Sequence, residues 1–215
     1  MIKGVSDPEL PERAEKAPNA DAPLLGSRFE EALLYAIRLH ARQRRKGTSI
    51  PYAAHLLAVS AIVLEDGGDE DQAMAALLHD AVEDQGGRPV LEQIRSRFGD
   101  RVAAIVEGCT DAEVIPKPPW RERKERYVAH VRQASPDVRR VSAADKLHNA
   151  RAILTDLRRH GGTLWSRFSG GREGVLWYYR ALVSAYQAAG SGPLAEELDR
   201  VVGEIERLAE LQQRR

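Results

Sequence analysis

The segment Ala75–Asp84 places four titratable side chains directly after a run of apolar residues. His79 and Asp80 follow the run, and two further apolar residues separate them from Glu83 and Asp84. An ionised carboxylate in apolar surroundings is costly unless it is paired or bound to a cation. On a helix, each member of the first pair shares a face with the residue four positions later in the second pair. The pattern indicates a metal-binding or other polar site, and a helix end with a polar face and a core histidine is the alternative.

Two other apolar segments each contain one side chain of the same kinds. His55 lies near the start of one predicted helix, and Asp145 lies in the middle of another. With His79 and Asp80 they supply two imidazoles and two carboxylates, a mixed set that suits Mn²⁺ or Fe²⁺. Co²⁺ and Zn²⁺ are alternatives, whereas Ca²⁺ prefers an all-oxygen cage. An ion held by four protein ligands keeps positions for water and substrate, so the set predicts hydrolysis of a phosphoester or phosphoanhydride.

The order of these motifs resembles a known family. The chain contains, in sequence, Arg45-Lys46-Gly47, Pro51-Tyr52, His55, His79-Asp80-Ala81-Val82-Glu83-Asp84 and Asp145-Lys146-Leu147-His148-Asn149. This order resembles the HD-domain metal-dependent phosphohydrolases. It is most similar to the hydrolase domain of the RelA/SpoT homologues and to the stand-alone small alarmone hydrolases. The resemblance spans residues 28 to 190, and the strings HDxxED and DxLHN are specific to that branch.

The resemblance implies an all-helical, Mn²⁺-dependent enzyme. Its expected reaction is removal of the 3′-pyrophosphate from guanosine 3′,5′-bispyrophosphate (ppGpp) or a related alarmone. Carried over position by position, the family's metal ligands fall on His55, His79, Asp80 and Asp145. The acidic pair that orients or deprotonates the attacking water falls on Glu83 and Asp84, and a carboxylate beside an acidified water can accept its proton.

The same resemblance implies contacts to a nucleotide. These fall on Arg45, Lys46, Lys146 and Asn149. A guanidinium can stack on a base, and an ammonium can meet phosphate. The chain departs from the long enzymes after Asn149, where Ala150-Arg151-Ala152 replaces Met-Arg-Thr and removes a threonine contact to the substrate.

Two alternative functions stay open on the sequence. One is an HD phosphohydrolase that acts on a deoxynucleotide, another nucleoside phosphate or NADPH. The other is a non-catalytic, metal-bound protein that senses a nucleotide. The intact Glu83-Asp84 pair argues against the second alternative, because metal ligation needs only the other four residues.

A run of basic residues follows Trp120. Arg121, Arg123, Lys124 and Arg126 alternate with Glu122 and Glu125. This alternation favours an exposed, salt-bridged face, and the alternative is that Arg121 or Lys124 turns inward to the substrate's phosphates. We interpret His148 as a hydrogen-bonding support of the centre rather than a ligand. His40 is interpreted as a structural histidine and the single Cys109 as a buried thiol.

The elements that position these residues are all predicted to be helices. Apolar residues recur at helical spacing, and no window combines period-two alternation with β-branched enrichment. The predicted helices cover residues 27–46, 52–66, 69–85, 89–98, 100–111, 120–134, 136–160, 173–189 and 193–213. Ser27 and Glu30 are predicted to form a capping box, and Gly47 to end the first helix. Three prolines make residues 114–119 an extended loop.

Composition bounds the organisation and the partners. We expect one HD-type domain of roughly eight to ten helices over residues 23–215, preceded by a disordered tail over residues 1–22 that is rich in proline and charge. Lys plus Arg equals Asp plus Glu at 32 each, which argues against a nucleic-acid polymer or a membrane surface as partner. No apolar segment has the length of a signal core or a membrane span, so a cytoplasmic protein is expected. The apolar stripe of the last helix either closes the bundle or forms a homodimer seam.

Overall fold

The computed structural model describes residues 24–111, 118–190 and 192–213. Its α-helices are α1 (Ser27–Leu39), α2 (Ala53–Glu65), α3 (Glu70–Leu78), α4 (Ala81–Gln85), α5 (Arg88–Phe98), α6 (Asp100–Cys109), α7 (Trp120–Gln133), α8 (Pro136–His160), α9 (Gly171–Ala188) and α10 (Gly192–Gln213). A 3₁₀ helix, Gly161–Arg167, follows α8. The all-α prediction is confirmed for the described residues. The predicted tail over residues 1–22 and most of the predicted loop over 114–119 lie outside them.

Helix α1 differs from its prediction in its C-terminal end and in its N-terminal cap. It ends at Leu39 rather than at Gly47, because the next residue, His40, turns its side chain into the core and leaves the helix. Gly47 instead lies in the following loop with a φ of 73°, a conformation that favours glycine. At the start, the N-cap residue is Gly26 and no side chain caps the helix, so the predicted capping role of Ser27 is wrong.

Helix α8 is the central helix of the bundle. It packs against α2, α3, α6 and α10. Ser135 caps its start by accepting a hydrogen bond from the backbone N–H of Val138. Buried residues recur along it from Val138 to Leu157, and Asp145 is among them. A helix packed on several sides therefore places a carboxylate in the interior.

Helices α2 and α3 pack against each other and against α8. Asp69 and Gln72 form a reciprocal capping box at the start of α3. The apolar residues Ala73–Leu78 that follow are fully buried. This packing holds the C-terminal end of α3 beside α2 and the middle of α8, where the predicted metal ligands lie.

The C-terminal helices complete the bundle. α10 packs against α8 and α9, so its apolar stripe is covered within the chain. Trp120, at the start of α7, packs so closely on Gly170 that a Cβ there would lie 2.6 Å from the indole ring. Tyr178 and Tyr179 on α9 are buried packing residues. Among the described helices, none combines the length and the hydropathy that a membrane crossing requires.

Two leucines on α10 test whether this helix is part of the core. Leu198 is 0% exposed and Leu211 is 47% exposed. We expect Leu198→Ala to lower the free energy of unfolding by about 2–5 kcal/mol, because it removes buried methyl groups and leaves a cavity. Leu211→Ala is the matched control and should change it by about 0.5 kcal/mol or less. Urea denaturation measures both, and equal small effects would show that α10 does not close the bundle.

Candidate metal centre and adjoining cavity

The four predicted metal ligands come together in the interior. His55 lies on α2, Asp145 on α8, and His79 and Asp80 in the turn between α3 and α4. His55 Nε2 lies 3.5 Å from Asp80 Oδ2 and 3.2 Å from Asp145 Oδ1. His79 Nε2 lies 3.0 Å and 3.6 Å from the same two oxygens. The two imidazole nitrogens and two carboxylate oxygens therefore surround one point.

The helix predicted over residues 69–85 is interrupted at this point. α3 ends at Leu78 and α4 begins at Ala81, so His79 and Asp80 lie in a turn rather than inside one continuous helix. Neighbouring residues on a regular helix point about 100° apart. The interruption lets the side chains of His79 and Asp80 converge, which a continuous helix would not allow. The prediction missed it because the packing of α3 against α2 and α8, rather than the local sequence, ends the helix there.

The histidine rings are oriented by their second nitrogens. His79 Nδ1 donates to the carbonyl of Ala76 at 2.8 Å, which leaves Nε2 with its lone pair. His55 Nδ1 lies 2.8 Å from Nδ1 of His148, so the supporting role predicted for His148 agrees with the geometry. Neither buried Nε2 has a hydrogen-bond partner among the described residues. Two unpartnered imidazole nitrogens beside two carboxylates fit a divalent cation.

The carboxylates are held in the ionised form. Burial alone would raise the pKa of Asp145, but the ammonium of Lys146 holds it well below its usual value. Lys146 Nζ and Asn149 Nδ2 each donate to Asp145 at 2.5 Å. The Tyr52 hydroxyl donates to Asp80 Oδ2 at 2.5 Å. Ionised, hydrogen-bonded carboxylates are ready to bind a cation.

A cavity of about 520 Å³ adjoins the centre. Its lining includes Arg45, Lys46 and Asn149, three of the predicted nucleotide contacts. Arg45 donates to Asn149 Oδ1 at 2.8 Å. The lining does not include Lys146, whose ammonium is paired with Asp145 instead. The structure thus places Lys146 beside Asp145, a predicted metal ligand, rather than at the cavity wall.

The predicted catalytic pair lies on α4. Asp84 Oδ2 accepts a hydrogen bond from Gln43 Nε2 at 2.7 Å. Reduced contact with water raises the pKa of Asp84, the Gln43 hydrogen bond opposes this, and the charges of Asp80 and Glu83 raise it further. A carboxyl with a raised pKa is a better proton acceptor than an ordinary aspartate.

The basic run on α7 divides between the surface and the interior. Arg121 is exposed, where it pairs with Glu125 and lies over the Trp177 ring. Lys124 instead points inward and pairs with Asp111 at 2.8 Å. Burial lowers the pKa of Lys124, the charge of Lys146 lowers it further, and the carboxylates of Asp111 and Glu83 oppose the shift. The prediction of an exposed, salt-bridged face therefore holds for Arg121 but not for Lys124.

Two residues of the site were not predicted. Tyr52 binds Asp80 and stacks on His40, and Gln43 links His40 to Asp84. Pro51-Tyr52 forms part of the motif order, but nothing in its spacing indicates a partner 28 residues away. Gln43 has no such signal, because its role depends on how the loop after α1 folds back over α4.

The all-α bundle gathers two imidazoles and two carboxylates at an interrupted helix, an arrangement that is compatible with a divalent metal ion. The sequence signature of the HD domain family matches residues 32–176, and the chain belongs to this family. The named relatives include the guanosine-3′,5′-bis(diphosphate) 3′-pyrophosphohydrolase MESH1 of Xenopus tropicalis. It is 40% identical over 139 residues, which cover 63% of this chain and 73% of the relative. The MESH1 protein of Homo sapiens is 38% identical with the same coverage.

Solved structures agree with the fold. A metazoan ortholog of SpoT that hydrolyses ppGpp superposes with a TM-score of 0.71 at 30% identity. The match covers 85% of this chain and 98% of that chain. The protein lmo0812 of Listeria monocytogenes superposes with a TM-score of 0.62 at 29% identity. The centre thus lies in a fold shared with a ppGpp hydrolase, and the chain is a hydrolase of the HD type.

His148 offers a test of the supporting hydrogen bond. Burial, aided by the charges of His55 and Arg45, lowers its pKa to about 4, so the ring is neutral at pH 7. We expect His148→Ala to weaken Mn²⁺ binding about 10–100-fold, because it frees the ring of His55 to rotate. The exposed His160→Ala is the control and should bind as the wild type does. Calorimetric titration with Mn²⁺ measures the effect, and unchanged affinity in His148→Ala would contradict the orienting role.

Proposed function

We propose that this protein is a Mn²⁺-dependent hydrolase that removes the 3′-pyrophosphate of ppGpp. The products are GDP and pyrophosphate, with one water consumed. The observation that carries the proposal is the convergence of His55, His79, Asp80 and Asp145 beside a cavity lined by cationic side chains. Similarity to named ppGpp 3′-pyrophosphohydrolases supports the choice of substrate.

The ligand set is compatible with Mn²⁺, the cation proposed for this site. Two imidazoles and two carboxylates suit Mn²⁺ or Fe²⁺ better than the all-oxygen preference of Ca²⁺ or Mg²⁺. When bound, the cation supplies Lewis-acid chemistry, which acidifies a water and polarises a phosphoryl oxygen. The protein's own contribution is the fixed orientation of the four ligands.

The remaining residues of the site divide the work on the substrate. Arg45 and Lys46 border the cavity and are proposed to hold the nucleotide, with Asn149 linking Arg45 to the ligand Asp145. Glu83 and Asp84 on α4 are proposed to take the proton of the attacking water at a carboxylate oxygen. Lys146 is proposed to act through Asp145, whose charge it balances, rather than by touching the nucleotide.

Removal of the acidic pair tests the reaction without removing the metal ligands. We expect Glu83→Gln and Asp84→Asn each to lower kcat for ppGpp about 10²–10⁴-fold, because a proton acceptor is lost. Both variants should keep Mn²⁺ binding, since neither residue is among the four ligands. Pyrophosphate release measures kcat, and calorimetry measures binding. Wild-type protein that binds Mn²⁺ and leaves ppGpp intact would contradict the proposed function.

Gln43 provides a separate test through pH. Its hydrogen bond lowers the pKa of Asp84, so Gln43→Leu should raise that pKa further. Because a proton acceptor must be ionised, activity falls as the pH drops through this pKa. The acid limb of the kcat profile should therefore move to higher pH in Gln43→Leu, with activity near the wild-type value at the alkaline end. Gln187→Leu, an exposed glutamine on α9, is the control, and an unmoved acid limb in Gln43→Leu would contradict the role of this contact.

A further inference from the structure

One stretch of the chain lacks acidic residues. Residues 32–64 contain no Asp or Glu, although the whole chain has 32 acidic and 32 basic residues. The cations of this stretch are concentrated in the short segment 38–46, which ends α1 and begins the loop toward α2. They are Arg38, Arg42, Arg44, Arg45 and Lys46. A protein with no net charge thus has a local concentration of positive charge.

This charge is not compensated by neighbouring carboxylates. Arg38, Arg42 and Arg44 are exposed, and none forms an ion pair or side-chain hydrogen bond with another residue in the described ranges. Other exposed arginines form ion pairs, such as Arg126 with Glu122 and Arg207 with Glu204. An unpaired cluster contributes a positive potential that extends beyond contact distance.

The loop that carries most of this cluster borders the proposed nucleotide cavity. Arg45 and Lys46, from the same segment, line the cavity. On the other side of the loop, Arg42 and Arg44 line a separate cleft of about 420 Å³. The cavity wall also carries Arg159, which forms no ion pair with a described residue. Cationic side chains therefore lie on the cavity wall and on the loop that borders it.

We propose that Arg38, Arg42 and Arg44, the basic rim, attract polyanionic nucleotides to the cavity over long range. This inference rests on the proposed function. It adds that the enzyme should prefer nucleotides that carry more phosphate charge. The rim residues act on capture and not on the chemical step, because they lie outside the set that contacts the metal centre. Such steering raises association rates about 10–10³-fold and weakens as salt shortens the screening length.

The test is the salt dependence of kcat/KM for ppGpp in Arg38→Gln/Arg42→Gln/Arg44→Gln. At a low ionic strength of about 0.01 M, where the screening length is about 30 Å, we expect kcat/KM to fall about tenfold while kcat is unchanged. At about 1 M salt the variant and the wild type should converge, because the screening length is then about 3 Å. The control is Arg126→Gln/Arg200→Gln/Arg207→Gln, which removes the same charge from exposed arginines on α7 and α10.

Binding separates this inference from the proposed function. The binding affinities of ppGpp and GMP are measured by calorimetry in Asp84→Asn, with and without the rim substitutions. The affinity for ppGpp should depend more steeply on salt than the affinity for GMP. The rim substitutions should reduce that difference. Binding of ppGpp without hydrolysis by the wild type would contradict the proposed function alone. If the wild type and both triple variants hydrolyse ppGpp with the same salt dependence of kcat/KM, the proposed role of the basic rim is contradicted. Absence of both binding and hydrolysis would contradict the two together.

Discussion

The structure depends on placing two carboxylates and two imidazoles together inside an apolar bundle. Buried charges are costly unless each is compensated, and the surroundings of this centre supply that compensation. Lys146 and Asn149 donate to Asp145, and Tyr52 donates to Asp80. In this centre, the Nε2 atoms of His55 and His79 have no hydrogen-bond partner among the described residues. A divalent cation satisfies both nitrogens and both carboxylates at once.

Packing and site geometry are linked through the interruption between α3 and α4. The buried run Ala73–Leu78 fixes α3 against α2 and α8, so the turn that follows it has little freedom. His79 and Asp80 enter the centre from that turn, and Glu83 and Asp84 follow on α4. The loop after α1 completes the arrangement, because it carries cavity residues on one side and Gln43 against Asp84 on the other. One short region therefore joins two of the proposed metal ligands, the proposed proton acceptor and the cavity.

Much of this arrangement could be predicted from the sequence. The bounds of α8 were predicted at Pro136–His160, since Ser135, Pro136 and Gly161 mark its ends. The convergence of His55, His79, Asp80 and Asp145 was also predicted, because a histidine or carboxylate is costly among apolar residues unless it has a partner there. The turn at His79 was not predicted, because the local pattern is that of a continuous helix and only tertiary packing interrupts it. The partners of Lys146 and Gln43 were missed for a related reason, since sequence spacing does not show which side of a helix or loop meets a distant segment.

The most direct test of the centre is anomalous X-ray diffraction from crystals of the Mn²⁺-loaded protein, recorded at the manganese edge. The account predicts one strong anomalous peak, bound by His55 Nε2, His79 Nε2, one oxygen of Asp80 and one oxygen of Asp145. The peak should be absent in crystals of Asp80→Ala. Loaded wild-type crystals with no peak among these four side chains, or with the ion held by other residues, would contradict it.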